Sequence, residues 1–377
     1  MNRALSTSAG RYRGEVVYLF AFDIAYELRD LNASQLLGQP VVQFLVDTGK
    51  RGPKEAFFYR PLMVRLPSVE RIGPHGLIRV EQVVKILSIG AISISVRVPF
   101  AVEHLADLVA YHDLMFNNSS LADEARLLAQ QIQRELMPFC DRPVTSLAEE
   151  EAYTVFCLES PLPELDGKKV SAEEWLHNHN RTVAGLLMQE TDPNLLSRQE
   201  AHESTDRHLS YYDDDLVVVD WDAALIVEDR PHFEEVVYVM ELANLQLAEL
   251  EAYDRLLDAT LDRPYRDVGR RPWGSRAPIL RELRELRIDL TRMSDELLNI
   301  TKFFGDWHLA RIYQYVSARF HLADWHRTVD EKLKSLDSFY QLLQHDQNNR
   351  WMLILEATIV MLFIIDVVIL VMGIGVR

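Results

Sequence analysis

The chain has 377 residues with 48% hydrophobic content, 15 Gly and 15 Pro, which excludes collagen-like and wholly disordered chains and allows more than one domain. Its 40 Lys and Arg against 57 Asp and Glu give a net charge of −17. Direct binding to DNA is therefore not expected, because sequence-independent affinity for phosphates needs clustered cations. Cys140 and Cys157 are too few for a disulfide framework or a four-thiolate zinc site, and they indicate a reducing compartment and two small buried side chains.

The first part of the chain predicts an α+β head domain over residues 15–230, after a flexible N-terminus over residues 1–14. Short β-type runs follow one another up to residue 100 and are separated by turns rich in Gly and Pro. Helical periodicity then predicts helices in residues 101–115 and 121–140. This order of elements is typical of a small mixed sheet with helices packed against it.

The second half of the head combines strand and helix signals. Residues 148–160 and 216–229 are rich in β-branched and aromatic side chains and predict strands. Between them, Ser171 is followed three residues later by Glu174, a capping box in which each side chain satisfies an amide at the helix end. A helix is therefore predicted from this point towards Glu190.

Acidic residues are concentrated in residues 141–230, which hold 21 Asp and Glu against 7 Lys and Arg, a balance of −14. Two interpretations stay open, a solvated face that serves solubility or an electrostatic docking surface for a basic partner. Residues 213–215 are three aspartates, and with His202 and His208 they would suit a hard metal ion, but an acidic turn at a strand edge explains them as well. No metal site is therefore predicted.

Residues 231–350 predict a long antiparallel helical stalk of coiled-coil type, because apolar residues recur at spacings of three, four and seven in three successive segments. The segment that begins at Arg270 breaks the first two helices apart. The third helix begins near Asp306 and, if unbroken, extends about 60 Å to Arg350. Four aromatic residues are predicted to mark the turn of the stalk, with core packing favoured over a ligand cage: Phe303, Phe304, Trp307 and Tyr313.

Residues 351–374 predict one transmembrane helix, because an apolar stretch of this length crosses a bilayer core of about 30 Å at about 1.5 Å per residue. No apolar region of signal-peptide length precedes Asp23, so a chain made in the cytosol and anchored by its tail is expected. Basic residues are concentrated before the span, which places the N-terminal bulk in the cytoplasm, or in an organellar matrix, and at the inner membrane if the source is bacterial: Arg327, Lys332, Lys334 and Arg350.

Two acidic residues lie inside this span, Glu356 about one turn in and Asp366 near its middle. An ionised Asp at that depth costs about 2.5–3.5 kcal/mol on insertion scales. At about 100° per residue the two side chains are about 80° apart, on a stripe that suits contact between helices. Three interpretations stay open: self-association or a membrane partner, snorkelling of Glu356 with a protonated or tolerated Asp366, and an ion path.

The sequence contains none of the catalytic motifs with a clear mechanism. The patterns GxxxxGK[ST], GxGxxG after a strand, HExxH, GxSxG and paired CxxC are absent. No catalytic residue, cofactor-binding residue or cofactor is therefore predicted, and the protein is not expected to be an enzyme.

The C-terminal part resembles a known family. It has an acidic-Leu-Leu segment, an aromatic-rich turn, a long helix with Tyr, a Lys-Leu pair and a span with acids ten residues apart, carried by Asp295, Leu297, Leu298, Phe303, Phe304, Trp307, Tyr313, Lys332, Leu333, Tyr340, Arg350, Glu356 and Asp366. These features resemble the required-for-meiotic-nuclear-division family, domain of unknown function 155, and the segment YLFAFDIAYEL is similar to its opening strand. The resemblance implies a non-enzymatic membrane protein. Organellar members are oligomeric inner-membrane scaffolds that support mitochondrial translation, and others act in meiotic division.

Two functional hypotheses lead, ahead of a third in which residues 213–215 and His208 would make the head a metal-dependent hydrolase. The first is a tail-anchored membrane scaffold that forms a homo-oligomer through stalk and span and presents its acidic head to a protein or ribonucleoprotein partner. The alternative is a single-span oligomeric ion channel or transporter, since an acidic α/β head leading through a long helix into the membrane has the layout of CorA-type magnesium channels. The second span and the Gly-Met-Asn signature of those channels are absent from this sequence.

Overall fold

A computed structural model describes most of the chain, namely residues 11–29, 34–44, 61–116, 118–144, 147, 150–163, 169–270, 281, 284, 307–371 and 373. The chain divides into two compact units, the first comprising Met1–Ala252 with Asp295–Trp325 and the second Tyr253–Ser294 with His326–Arg377. The predicted division into head, stalk and span at residues 230 and 350 stays a prediction, and each unit is described by itself.

The first unit is built on a mixed sheet. Its strands and small two-stranded additions are β1 Tyr12–Asp23, β2 Ala25–Leu28, β3 Gln35–Leu36, β4 Gln39–Pro40, β5 Val42–Gln43, β6 Leu62–Arg65, β7 Val69–Gly73, β8 Gly76–Ile86, β9 Ala91–Val102, β10 Met115–Phe116, β11 Ser119–Ser120, β12 Cys140–Pro143, β13 Glu151–Glu159, β14 His208–Leu209, β15 Leu216–Val219 and β16 Ala223–Glu228. Among the described residues, ten strands form the main sheet in the order β14-β15-β16-β13-β1-β9-β8-β6-β5, with β7 paired to β8. Neighbours are antiparallel except β13 and β16, which are parallel.

Strand β1 lies at the centre of the sheet, between β9 and β13, and its residues from Val16 to Phe22 are all buried. A strand covered on both faces has a continuous apolar sequence rather than an alternating one, which explains the run VVYLFAF. The turn from β8 to β9 requires Gly90, because its φ is +91° and an added Cβ would lie 1.7 Å from the carbonyl oxygen of Ala25.

Six helices are described in the two units: α1 Leu121–Leu136, α2 Ala172–Leu187, α3 Arg198–Asp206, α4 Phe233–Arg270, α5 Trp307–Arg319 and α6 Leu322–Val371. The mixed α/β class of the head is confirmed. Ser171 caps α2 by accepting a hydrogen bond from the amide of Glu174, which confirms the Ser171 half of the predicted capping box.

Two helix predictions are corrected in the head. The predicted helix at residues 101–115 is instead the end of β9 followed by a 3-10 segment, Leu105–Tyr111, because pairing of Val102 with Tyr12 extends the strand. The helix predicted at residues 121–140 ends at Leu136, and Pro138, which lacks the amide hydrogen needed to continue it, follows two residues later.

The long helix predicted to begin near Asp306 is also corrected, because it is broken between α5 and α6. His321 lies between the two helices with a φ of 51°, in the left-handed region that a right-handed helix cannot contain. Cys157 is buried as predicted, whereas Cys140 is only partly buried.

The main sheet has two differently covered faces. Side chains at alternate positions of a strand point to opposite faces, so Val16, Tyr18 and Phe20 of β1 share one face. They belong to a buried apolar cluster with residues of α1 and α2. The opposite face carries Lys85, and this side chain contacts α4.

The second unit contains the later part of α4 and most of α6. Lys332 of α6 forms ion pairs with Asp254 and Asp258 of α4, at 2.6 and 2.7 Å. Arg284 donates a hydrogen bond to the Tyr340 hydroxyl at 2.9 Å. The segment predicted to form the middle helix of the stalk otherwise lies outside the described residues.

Candidate functional site

The apolar end of α6 is the largest exposed hydrophobic surface in the described part of the chain. Every residue from position 351 to 370 is exposed, including Glu356 and Asp366. The helix Leu322–Leu370 contains an 18-residue window with a mean hydropathy of 2.7, and none of that window is buried. By length and composition this helix is therefore apolar enough to cross a membrane.

Two of the four predicted aromatic residues lie on α5, in the first unit. The ring of Trp307 is 5.7 Å from the ring of Tyr211, and the guanidinium of Arg311 is 5.2 Å from the Trp307 ring. The Tyr313 hydroxyl donates a hydrogen bond to the side chain of Gln246 on α4. Both aromatic residues thus pack within the sheet-containing unit, while Phe303 and Phe304 lie outside the described residues.

The turn between β15 and β16 holds the C-terminal end of α5. The buried carboxylate of Asp220 accepts hydrogen bonds from the Ser204 hydroxyl and from the guanidinium of Arg319. The ring of Trp221 stacks on the imidazole of His321 at 5.1 Å. These contacts lie where α5 ends, so they position the break before α6.

A buried ion pair joins the sheet to α4. Lys85 of β8 and Glu241 of α4 have side chains that are only 2% and 1% exposed, and their charged groups are in contact. Ser93 of β9 lies directly opposite Lys85, and its hydroxyl donates to Glu241 Oε1 at 2.6 Å. The ammonium of Lys85 is also 4.2 Å from the ring of Phe44 and 5.1 Å from that of Tyr238.

A second ion cluster lies beside this pair. Arg97 of β9 contacts the carboxylate of Glu15 at 2.8 Å and that of Glu234 on α4. Glu234 is also 3.8 Å from the ammonium of Lys85, so it connects the two groups. Burial raises the pKa of Glu15, and the nearby Arg97 opposes this shift. The two clusters contain three carboxylates and two cations, all between the sheet and the start of α4.

An open cleft lies on the other face of the sheet, with a volume of about 670 Å³. Its floor contains two cross-strand pairs, Tyr18 with Thr154 and Phe20 with Ala152. Residues 112–115 and the first turn of α1 line its walls. This volume is within the usual range of about 300–1,000 Å³ for small-molecule sites.

One titratable ring in the cleft is partly buried. The Nε2 atom of His112 is 2.6 Å from the carbonyl oxygen of Leu186. Because a carbonyl can only accept, Nε2 carries the proton and Nδ1 is left as an acceptor. Burial lowers the pKa of His112, while its hydrogen bond and the carboxylates of Asp113 and Asp222 partly oppose that shift.

The acidic segment that would suit a metal ion forms separate local contacts. His202 pairs with Asp206 at 3.7 Å, and Asp215 accepts a hydrogen bond from the amide of Tyr211 at 2.6 Å. His208 instead lies 3.8 Å from Glu173. Within the described ranges, no group of three or more His, Cys, Asp or Glu side chains is placed to hold a metal ion.

Comparison with known proteins identifies the family of the sheet-containing region. Residues 13–234 match the family described as the N-terminal domain of uncharacterized protein MJ0711. The chain belongs to this family. A relative, uncharacterized protein MJ0711 of Methanocaldococcus jannaschii, is 21% identical over 223 residues, which cover 58% of this chain and 65% of the relative. The chain thus spans less than two thirds of the length of this curated relative, and no solved structure matches.

The MJ0711 N-terminal family region contains the main sheet and ends at the start of α4. The cleft and Lys85 lie inside the region, whereas Glu241, α5 and α6 lie beyond it. The resemblance to the required-for-meiotic-nuclear-division family rests mainly on residues beyond this region, with the segment YLFAFDIAYEL inside it, and stays a prediction.

The sequence analysis missed Lys85, Glu241 and Asp220. The first two had a visible signal, since each is a single charge inside an apolar run, VVKIL and VVYVMELA. A charged residue at an otherwise buried position predicts a partner. The identity of that partner had no local signal, because Lys85 and Glu241 are 156 positions apart in the sequence.

Proposed function

We propose that the protein is a non-enzymatic, membrane-anchored scaffold in which α6 crosses the bilayer and the sheet-containing unit presents an acidic surface to a protein or ribonucleoprotein partner. The observation that carries this proposal is the end of α6, where 20 consecutive residues are exposed and nearly all are apolar. Such a surface is far larger than soluble proteins usually leave in water. A bilayer is the solvent that suits it.

Assembly through the span is part of the proposal. The carboxyl groups of Glu356 and Asp366 are both exposed on α6. Asp366 lies near the middle of the apolar stretch, where facing lipid costs about 2.5–3.5 kcal/mol. Contact with a second copy of the helix relieves this cost by supplying polar partners.

The charge distribution supports the proposed orientation and partner. Basic residues are concentrated before the span, which favours a cytoplasmic position for the sheet-containing unit. The net charge of −17 favours a partner with a basic surface. The resemblance to the required-for-meiotic-nuclear-division family adds a role in translation at a membrane as the proposed context.

Membrane insertion is tested by extraction of isolated membranes with alkaline carbonate. The full chain should stay in the membrane pellet. A control with Ile364→Arg and Val368→Arg in the span should be released, because each Arg near the bilayer centre opposes insertion. Release of the unmodified chain would refute the membrane part of the proposal.

Assembly is tested by measuring the mass of the full chain in mild detergent with light scattering. We expect an oligomer that dissociates in Asp366→Leu. Thr358→Val is the matched control, since it also replaces a polar span residue but one whose hydroxyl already bonds the carbonyl of Ile354 at 2.8 Å. A wild-type monomer, or an oligomer insensitive to Asp366→Leu, contradicts assembly through this residue.

A further inference from the structure

The cleft above β1 and β13 owes its space to the small side chains of its floor. Thr154 lies opposite Tyr18, and Ala152 lies opposite Phe20. Two residues further along the same strand and face, Phe156 is completely buried in the apolar cluster. The cleft therefore begins where β13 changes from a large apolar residue to Thr and Ala.

Two polar groups of the cleft, the Tyr18 hydroxyl and the His112 ring, present acceptors, while Thr154 and Gln189 can both donate and accept. The Tyr18 hydroxyl donates to the carbonyl of Tyr111, which leaves its oxygen as an acceptor. His112 likewise donates its Nε2 hydrogen to the carbonyl of Leu186 and retains an acceptor at Nδ1. A ligand that brings hydrogen-bond donors can therefore pair with the acceptor atoms of Tyr18 and His112.

Two carboxylates from separate loops lie at the mouth of the cleft. Asp113 follows the 3-10 segment, and Asp222 lies directly before β16. Both are exposed, and both act electrostatically on the ring of His112. Among the described residues that line the cleft there is no Lys or Arg. The potential at the mouth is therefore negative, which disfavours an anion.

The N-terminus of α1 also reaches the cleft, and by itself this helix end would attract an anion. Its first turn, however, already contains Asp123 and Glu124. Asp123 accepts hydrogen bonds from the amide and hydroxyl of Ser120, at 3.3 and 2.7 Å, and Glu124 pairs with Arg71 at 2.6 Å. The positive end of the helix is thus already compensated.

We propose that this cleft binds a small organic amine, whose ammonium group is recognised by Asp113 and Asp222 and whose apolar part packs against Tyr18 and Phe20. The carboxylates and the acceptor atoms match ammonium donors, and aromatic side chains attract organic cations. A divalent metal ion fits less well, because no group of three acidic, His or Cys ligands is assembled in the described part of the cleft. The binding site is independent of membrane anchoring.

The test uses the full chain in nonionic detergent, with spermidine as the probe and isothermal titration calorimetry as the measurement at physiological ionic strength. We expect saturable binding that weakens about 10-fold in Asp222→Asn and in Asp113→Asn, the loss expected for one charge-assisted contact. Asp214→Asn is the matched control, because it removes one exposed carboxylate of the same unit outside the cleft and should leave binding unchanged.

A steric variant separates binding in the cleft from diffuse attraction to a protein of charge −17. Ala152→Leu keeps every charge and fills the floor, so specific binding should be lost, and thermal unfolding verifies that the variant is folded. Equal affinity in all variants, or no saturable binding of spermidine, would overturn the proposal. Magnesium chloride that binds in the absence of spermidine, and whose binding is lost in Asp222→Asn, would also overturn it in favour of a metal site.

Discussion

The two faces of the main sheet are buried in different ways. Beneath α1 and α2 the strands present almost only apolar side chains, such as Ile94, which is completely buried. Beneath α4 the neighbouring residues of the same strand are polar, and Ser93 and Ser95 are each only 1% exposed. One strand thus contributes to an apolar core on one side and to a hydrogen-bonded ionic layer on the other.

This difference concerns the position of α4 on the sheet more than the stability of the fold. Apolar burial is nondirectional, so it favours contact without fixing one position of a helix on a sheet. An ion pair such as Lys85 with Glu241 forms only when α4 lies at one position along the sheet. The cost of desolvating the two charges offsets most of their attraction. We infer that the ionic layer determines where α4 lies along the sheet, and that the apolar face supplies most of the stability.

The largest expected effect is the loss of one member of the buried pair. Glu241→Leu leaves the ammonium of Lys85 buried without its carboxylate, which should cost about 3–5 kcal/mol. The double variant Lys85→Met with Glu241→Leu should recover most of that loss, because no uncompensated charge remains. The free energy of opening of the β8 and β9 amides, from native-state hydrogen exchange, measures both changes.

If the double variant is as unstable as Glu241→Leu, the pair contributes net stability and the inferred role in specificity is wrong. The position of α4 provides a second readout. In the double variant we expect faster exchange in the first turns of α4, even where the strands regain their protection.

The apolar face should respond differently to a comparable deletion. Ile94→Ala removes buried methyl and methylene groups and leaves a cavity, with an expected cost of about 2–5 kcal/mol. Here no second deletion restores stability, so adding Ile132→Ala on α1 should increase the loss. Hydrogen exchange of β9 is again the measurement, and rescue by the second substitution would remove the contrast between the faces.

A third change tests the ionic contacts of the turn between β15 and β16. Asp220→Ala removes the acceptor of the buried Ser204 hydroxyl and the partner of Arg319, and we expect a loss of about 1–3 kcal/mol. The effect should be local: amides at the end of α5 lose protection while those of β1 keep it. The control Asp229→Ala removes an exposed carboxylate after β16, and it should leave the protection of α5 and of β1 unchanged. Uniform loss over the whole sheet would show that this turn supports the global fold.

Local patterns in the sequence predicted the elements better than their arrangement. The β-rich character before residue 100 and the cap of α2 at Ser171 follow from alternation, turn residues and side-chain capping, which are properties of neighbouring residues. The break at His321 was missed because its left-handed backbone is held by contacts with a distant turn. No Gly or Pro marks this position in the sequence.

The candidate sites show the same limit. The apolar stretch around Asp366 is continuous, so the sequence alone predicts a span and its acidic residues. The contact between Asp220 and Arg319 joins residues 99 positions apart, and the cleft combines residues from Tyr18 to Asp222. Such contacts depend on strand order, including the parallel pairing of β13 with β16, which periodicity does not encode.

The smallest expected effect concerns His112, a titratable residue on the face of the sheet that packs against α1 and α2. His112 packs edge-on against Phe156 at 4.9 Å, and burial lowers its pKa, with Leu186, Asp113 and Asp222 opposing the shift. Because its pKa is lower in the folded chain than the ordinary value of about 6.5, the unfolded chain binds a proton first on acidification. The contribution of His112 to the free energy of unfolding is therefore complete above the unfolded pKa. It is lost as the pH falls through the folded pKa. Carboxylates with ordinary pKa values titrate near pH 4, below the pH at which this loss begins, whereas burial raises the pKa of Glu15.

We expect the thermal unfolding midpoint of the full chain to fall between pH 7.5 and 5.5, and to fall less in His112→Gln, which removes the titrating ring. His177→Gln is the control, since that imidazole is exposed on α2. The same pH dependence in all three proteins would assign the effect to other groups. A smaller dependence in His112→Gln alone would show that a single, partly buried imidazole makes this face of the sheet sensitive to pH, because aliphatic side chains do not titrate.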